Sequence, residues 1–141
     1  MKAMLVKDGK LLFTDVEMPS VKDDEIRIKI KAIGINRADL LQKKGAYPSP
    51  AGWPQWPGLE VSGTVEAMGE VAKQKGRFKI GDSVCALLGG GGYAQYVCAP
   101  EGMVMPMPEN LSFEQAATLP EAYATSYLNL FKASLASGTT L

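Results

Sequence analysis

Apolar and polar residues alternate most cleanly over residues 26–31, where Ile26, Ile28 and Ile30 interleave with Arg27, Lys29 and Lys31. Period two with β-branched residues marks a half-buried strand, and it predicts one that runs on through Ala32 and Ile33 to Gly34. Residues 2–7 and 10–16 are shorter apolar runs separated by Asp8-Gly9, which is a hairpin signal. Further strands are predicted over residues 59–68, 83–88, 93–99 and 103–105. Gly63 interrupts the first of these and predicts a bulge or a close backbone approach. The tract from Gly89 to Gly92 reads as a hairpin turn. It is no phosphate-binding loop, because the Lys-Ser/Thr pair that would meet phosphate and magnesium is missing.

Helical patterning is confined to short stretches. Asn36 is a preferred N-cap, and Asp39, three residues on, is placed to return a hydrogen bond to it. A helix of about two turns follows through Leu40 and Leu41, with Lys43 and Lys44 complementing its C-terminal dipole and Gly45 ending it. Ser112 and Gln115 form a second capping signal, opening a helix through Ala117. Pro120 suits the first turn of a last helix, predicted over residues 121–135. Its apolar positions Ala124, Tyr127, Leu128, Phe131 and Leu135 share one face. Only Glu121 and Lys132 carry charge there, so this helix is expected to be covered by a neighbour. Gly138 would end it, and Thr139 to Leu141 would begin a strand. The reading is a chain that has lost a partner domain.

Between these elements lie two irregular stretches. Residues 46–58, AYPSPAGWPQWPG, hold four prolines and two tryptophans, a rigid extended loop that either lines a site or flaps over the core. Lys73, Lys75, Arg77 and Lys79 form a basic run, read as a solvated loop because no aromatic residues interleave to stack bases. Many short strands with Gly/Pro turns, one small internal helix and helices at the end predict a mainly β domain, a partly open β-barrel.

Composition narrows the chemistry. The 141 residues suffice for one domain with a real core. Fifteen basic and fifteen acidic side chains balance, so no electrostatic surface for nucleic acid or an anionic membrane is expected. No apolar run is long enough to span a bilayer, the first residues carry no secretory signal, and a cytoplasmic location is the default. Cys85 and Cys98 sit in apolar strand runs and read as buried, reduced thiols, although their separation in space is open. The chain has no histidine. A Ser-His-Asp triad or a Cys-His pair therefore cannot form within it, and a zinc site of ordinary composition is not expected.

Five stretches read together: residues 36–39 (NRAD), 58–65 (GLEVSGTV), 81–84 (GDSV), 91–97 (GGYAQYV) and 119–127 (LPEAYATSY). In this order and spacing they resemble the medium-chain dehydrogenase/reductase superfamily, and more narrowly its zinc-free NADPH:quinone oxidoreductase branch. The resemblance implies a GroES-like substrate-side domain over residues 1–120. Residues 121–141 would start the connection to a nucleotide-binding Rossmann domain, in a parent enzyme expected to be a homodimer. Where zinc alcohol dehydrogenases of that superfamily carry Cys and His, this chain has Asn36 and Leu59. An amide and a hydrocarbon do not hold zinc.

Without a Lewis acid, hydride transfer from NADPH suits an acceptor that is already electrophilic, a quinone or another activated carbonyl. An enone or enoyl thioester fits the same chemistry, and a non-catalytic GroES-like binding module is the alternative of another class. By resemblance Asn36 points its amide into the cleft, toward nicotinamide or substrate, while also serving as helix cap. Tyr47 stands at the cleft mouth, or else packs within its loop. Thr125 meets the nicotinamide carboxamide, or is a plain helix-surface threonine. Glu60 resembles a glutamate that stands behind the zinc ligands and is expected to act structurally, as is Asp39, with Arg37 able to pair with either. Trp53 and Trp56 either wall a pocket or pack.

Overall fold

The computed structural model describes residues 1–132. Two strands, β1 (Lys2–Lys7) and β2 (Lys10–Asp15), pair as the predicted hairpin, with Lys7 opposite Lys10. Asp8 and Gly9 both take positive φ at its turn, as the tight reversal demands. The remaining strands are β3 (Glu25–Ile33), β4 (Glu60–Met68), β5 (Ser83–Leu87), β6 (Tyr96–Pro100) and β7 (Val104–Pro106). They form one antiparallel sheet in the order β6-β3-β4-β5-β7. Among the described residues four α-helices accompany them: α1 (Arg37–Lys43), α2 (Glu70–Gln74), α3 (Phe113–Ala116) and α4 (Ala124–Lys132). A wide turn of π-helical geometry, Leu119–Tyr123, leads into α4. The molecule is mainly β with short helices, its sheet curled into the expected partly open barrel.

The alternation in β3 does what its period requires. Ile26 and Ile28 are fully buried and Ile30 packs against the same core, while Arg27 turns outward to bond Glu66 at 2.6 Å. The core fills the concave side of the sheet with Ile26, Ile28, Val61, Val65, Val84, Val97 and Val104. Gly63 meets both expectations for an interior glycine. The β3–β4 register shifts on either side of it, and a Cβ there would fall 2.2 Å from the Lys29 carbonyl oxygen.

One expectation fails. The tract Gly89 to Gly92 is not a hairpin turn, because β5 and β6 are not neighbours: β5 pairs with β4 and β6 with β3. The glycines instead let this loop press on the Pro-rich one. The Gly91 amide donates to the Trp56 carbonyl, the Gly92 amide to that of Gly58, and the Tyr93 amide to that of Pro57. Strand β6 accordingly starts at Tyr96 rather than at residue 93.

The basic run is solvent-exposed as expected, but it is not without partners. Lys73 lies in α2, while Lys75 and Arg77 hold the buried carboxylate of Glu101 at 3.0 and 2.6 Å. The last helix is present as α4 from Ala124. Its predicted extension to Leu135, the stop at Gly138 and the strand at Thr139 lie outside the described residues.

Candidate functional site

The site is assembled where β3 leaves the sheet and β4 enters it. The Gly34 amide donates to the Glu60 carbonyl at 3.1 Å, so the two strand ends stay in contact. A Cβ on Gly34 would sit 2.3 Å from Glu60 Oε1. Only a residue without a side chain leaves the Glu60 carboxylate room to lie across this point.

Asn36 then caps α1 in an extended conformation, with φ −120° and ψ 152°. Its backbone amide donates to Asp39 Oδ2 at 2.7 Å, the reciprocal bond expected of the capping pair. Asp39 is buried, and the same oxygen accepts from the Tyr93 hydroxyl at 2.9 Å. Burial foremost, and then the Asp39 carboxylate, push the Tyr93 phenol well above its ordinary range. The phenol is therefore a fixed donor that locks α1 to the glycine-rich loop.

Glu60 is fully buried. Its Oε1 accepts from Asn36 Nδ2 at 2.9 Å. Its Oε2 accepts from the backbone amides of Glu121 and Ala122 at 2.8 and 3.4 Å. Those amides open a helical segment and have no intrahelical acceptor, so a carboxylate from another element caps it and meets the positive end of its dipole. Thr125, one turn further on, is exposed and donates to Glu121 Oε1 at 3.3 Å. Asn36 and Thr125 thus stand at the two ends of one hydrogen-bonded chain. The Asn36 nitrogen donates one of its two hydrogens to Glu60, and the second has no partner among the described residues.

Tyr47 follows the end of α1, where the Ala46 amide closes on the Leu41 carbonyl. Its ring is nearly half exposed, and its hydroxyl has no partner among the described residues. No hydrogen bond joins it to Asn36 or Thr125. Ile35, Leu40 and Leu41 also expose apolar surface. Arg37 pairs with neither Asp39 nor Glu60 among the described residues.

Trp53 packs on the core next to Gly89, and the Trp56 indole donates to the Gly91 carbonyl at 3.0 Å. Trp56 also lines a groove of about 340 Å³ with Met18, Pro19, Tyr96 and Cys98, which includes none of Asn36, Tyr47 or Thr125. Both cysteines are free thiols. Burial, followed by the charge of Glu25, pushes the Cys98 thiol up to about 11. Among the described residues no group of three or more metal-ligating His, Cys, Asp or Glu side chains comes together.

The Glu60 link to the last helix and the Tyr93 lock on Asp39 were not legible in the sequence. Both span more than fifty residues, and no local spacing announces them. A glycine two residues before the cap, at Gly34, is the one sequence signal that a neighbouring side chain must cross there.

The model of the alcohol dehydrogenase GroES-like domain matches residues 22–109. The human synaptic vesicle membrane protein VAT-1 homolog-like is 38% identical over 124 residues, which is 88% of this chain and 29% of that protein. The pig quinone oxidoreductase is 38% identical over 120 residues, 84% of this chain and 36% of its own length. The crystal structure of the quinone oxidoreductase from Thermus thermophilus, determined also as a complex with NADPH, superposes with a TM-score of 0.77 at 36% identity. That match covers 96% of this chain and 42% of the other. The chain therefore spans about a third of the length of the curated relatives it matches.

Proposed function

Because the chain belongs to the alcohol dehydrogenase GroES-like domain family, within the medium-chain dehydrogenase/reductase superfamily, we propose that it is the substrate side of an NADPH-dependent, zinc-independent quinone oxidoreductase. Residues 1–120 form the substrate-side domain in this reading, and residues 121–141 begin the connection to a nucleotide-binding domain. The single observation that carries it is Asn36: an amide, tied to a buried carboxylate, with one N–H left to offer.

NADPH supplies the hydride when bound. Asn36 Nδ2 and the Thr125 hydroxyl are the groups that would hold its carboxamide end, and amide and hydroxyl chemistry suits that partner. Asn36 alternatively donates to the carbonyl oxygen of the acceptor, where negative charge develops as hydride arrives. Tyr47, with Leu40 and Leu41, offers an apolar flank to a flat ring. A quinone needs no more than this positioning and modest hydrogen bonding. The whole protein is proposed to be a cytoplasmic homodimer acting on small molecules, with neither nucleic acid nor membrane as partner. Among the described residues no helix is long and apolar enough to cross a membrane.

The test is steady-state NADPH oxidation by the full-length protein with 1,2- and 1,4-quinones and with enoyl thioesters, before and after treatment with a chelator. Quinone turnover that survives chelation is expected. Turnover confined to enoyl thioesters would reassign the substrate, and dependence on a stoichiometric transition metal would overturn the reading.

A further inference from the structure

Glu60 presents a physical puzzle. Its carboxylate is fully buried, and among the described residues no cation pairs with it. Taking a charge out of water is costly, and an apolar side chain that merely filled the space would serve stability as well or better. Space has also been cleared for it, since any side chain on Gly34 would collide with it.

What Glu60 does that no apolar residue can is hold two elements with two oxygens. Oε1 takes the Asn36 nitrogen, and Oε2 takes the amides of Glu121 and Ala122. The Glu121 side chain in turn takes Thr125. We infer that Glu60 is a positioning residue, which turns the Asn36 amide nitrogen inward and sets Asn36 at a fixed distance from the helix that carries Thr125. The inference rests on the reading of Asn36 and Thr125 as groups that face cofactor and substrate.

A side-chain amide can turn over with almost no change of shape, but its donor and acceptor ends then exchange places. A carboxylate accepts only, so it selects one of the two orientations. Glu60→Gln keeps the volume and removes that selection. A glutamine has one acceptor end, and if that end stays on the helix amides, its NH₂ faces Asn36. The Asn36 amide must then turn over to offer oxygen, and the donor it holds toward the cleft is lost.

The experiment combines a double-mutant cycle with a spectroscopic readout on the full-length protein. Glu60→Gln is expected to lower kcat/KM for a quinone by about tenfold, mostly in kcat, and to add less than about twofold in an Asn36→Ala background. In protein labelled with heavy nitrogen at asparagine, the Asn36 side-chain signals, identified by their absence in Asn36→Ala, should show one slowly exchanging hydrogen that Glu60→Gln abolishes. Gly34→Ala, which crowds Glu60 without changing its charge, should move the same signals.

Equal losses in both backgrounds, or Asn36 signals that Glu60→Gln leaves unmoved, would overturn the inference. If the wild-type protein reduces no quinone, the functional reading falls. The amide signals then decide the inference alone, their loss supporting it and their persistence overturning it.

Discussion

Asp39 shows how much can hang on one oxygen. Oδ2 accepts both the capping amide of Asn36 and the hydroxyl of Tyr93, so removing the phenol loosens the cap and the glycine-rich loop together. Tyr93→Phe should cost about 1–2 kcal/mol, read as a lower midpoint in urea with unchanged slope. An unchanged midpoint would mean that the hydroxyl's bond contributes nothing net. Tyr47 is the opposite case, an exposed ring whose hydroxyl has no hydrogen-bond partner among the described residues. Tyr47→Ala should leave stability unchanged while lowering quinone turnover in the full-length protein by about tenfold. Turnover equal to the parent's would remove Tyr47 from the site. The capping pair was legible because Asn and Asp three residues apart have one cheap arrangement at a helix start. Tyr93 was not, because its partner lies 54 residues away and a tyrosine carries no mark of what its hydroxyl will meet.

At the scale of elements, the connection between β6 and β7 is pinned by Glu101, with Lys75 and Arg77 reaching over from beyond α2. Burial raises the Glu101 carboxyl, but the hydrogen bond from Lys75, the charges of both partners and the bond from Arg77 outweigh it and hold it below the ordinary glutamate range. A carboxyl depressed in the folded state binds its proton more readily in the unfolded chain. Its contribution is therefore present above the ordinary glutamate pKa, about 4.3, and is lost as pH falls through the folded value. Glu101→Gln should lower stability at neutral pH by about 2 kcal/mol and flatten the acid limb of a melting temperature against pH profile. A parallel profile would show that the clamp is not what titrates. The basic run is exposed as its composition suggests, but the clamp that two of its cations form does not show in the sequence. The anion that Lys75 and Arg77 hold comes from another element, and nothing local points to it. The same limit produced the mistaken hairpin at Gly89: turn chemistry says that the chain bends, but not which strand the next one joins. Strand β3 needed no such information, since its own alternation decides which face is buried.

Over the whole molecule, burial is uneven in a way that bears on function. The curled sheet packs tightly around its core, yet no residue of α4 is buried. Tyr127 and Phe131 stack on each other, with centroids 6.4 Å apart and Phe131 71% exposed, and Leu128 and Leu130 stand open beside them. A contiguous apolar face of this kind marks an interaction site or an aggregation liability, and burying one such aromatic side chain is worth roughly 1.5–3 kcal/mol. Glu60 fixes the start of the same helical segment from inside the domain, so the helix is anchored at its base and, among the described residues, uncovered from Ala124 to Lys132. In the proposed reading, this face is where the domain docks against another part of a longer protein. The 141-residue chain should accordingly bind a dye for exposed apolar surface and scatter light in a concentration-dependent way. Phe131→Glu with Leu128→Lys should abolish both while leaving the barrel's circular dichroism unchanged. In the full-length protein the wild-type face should bind no dye. If it binds as much dye there as in the isolated chain, then nothing covers α4, and the module reading gains over the two-domain enzyme.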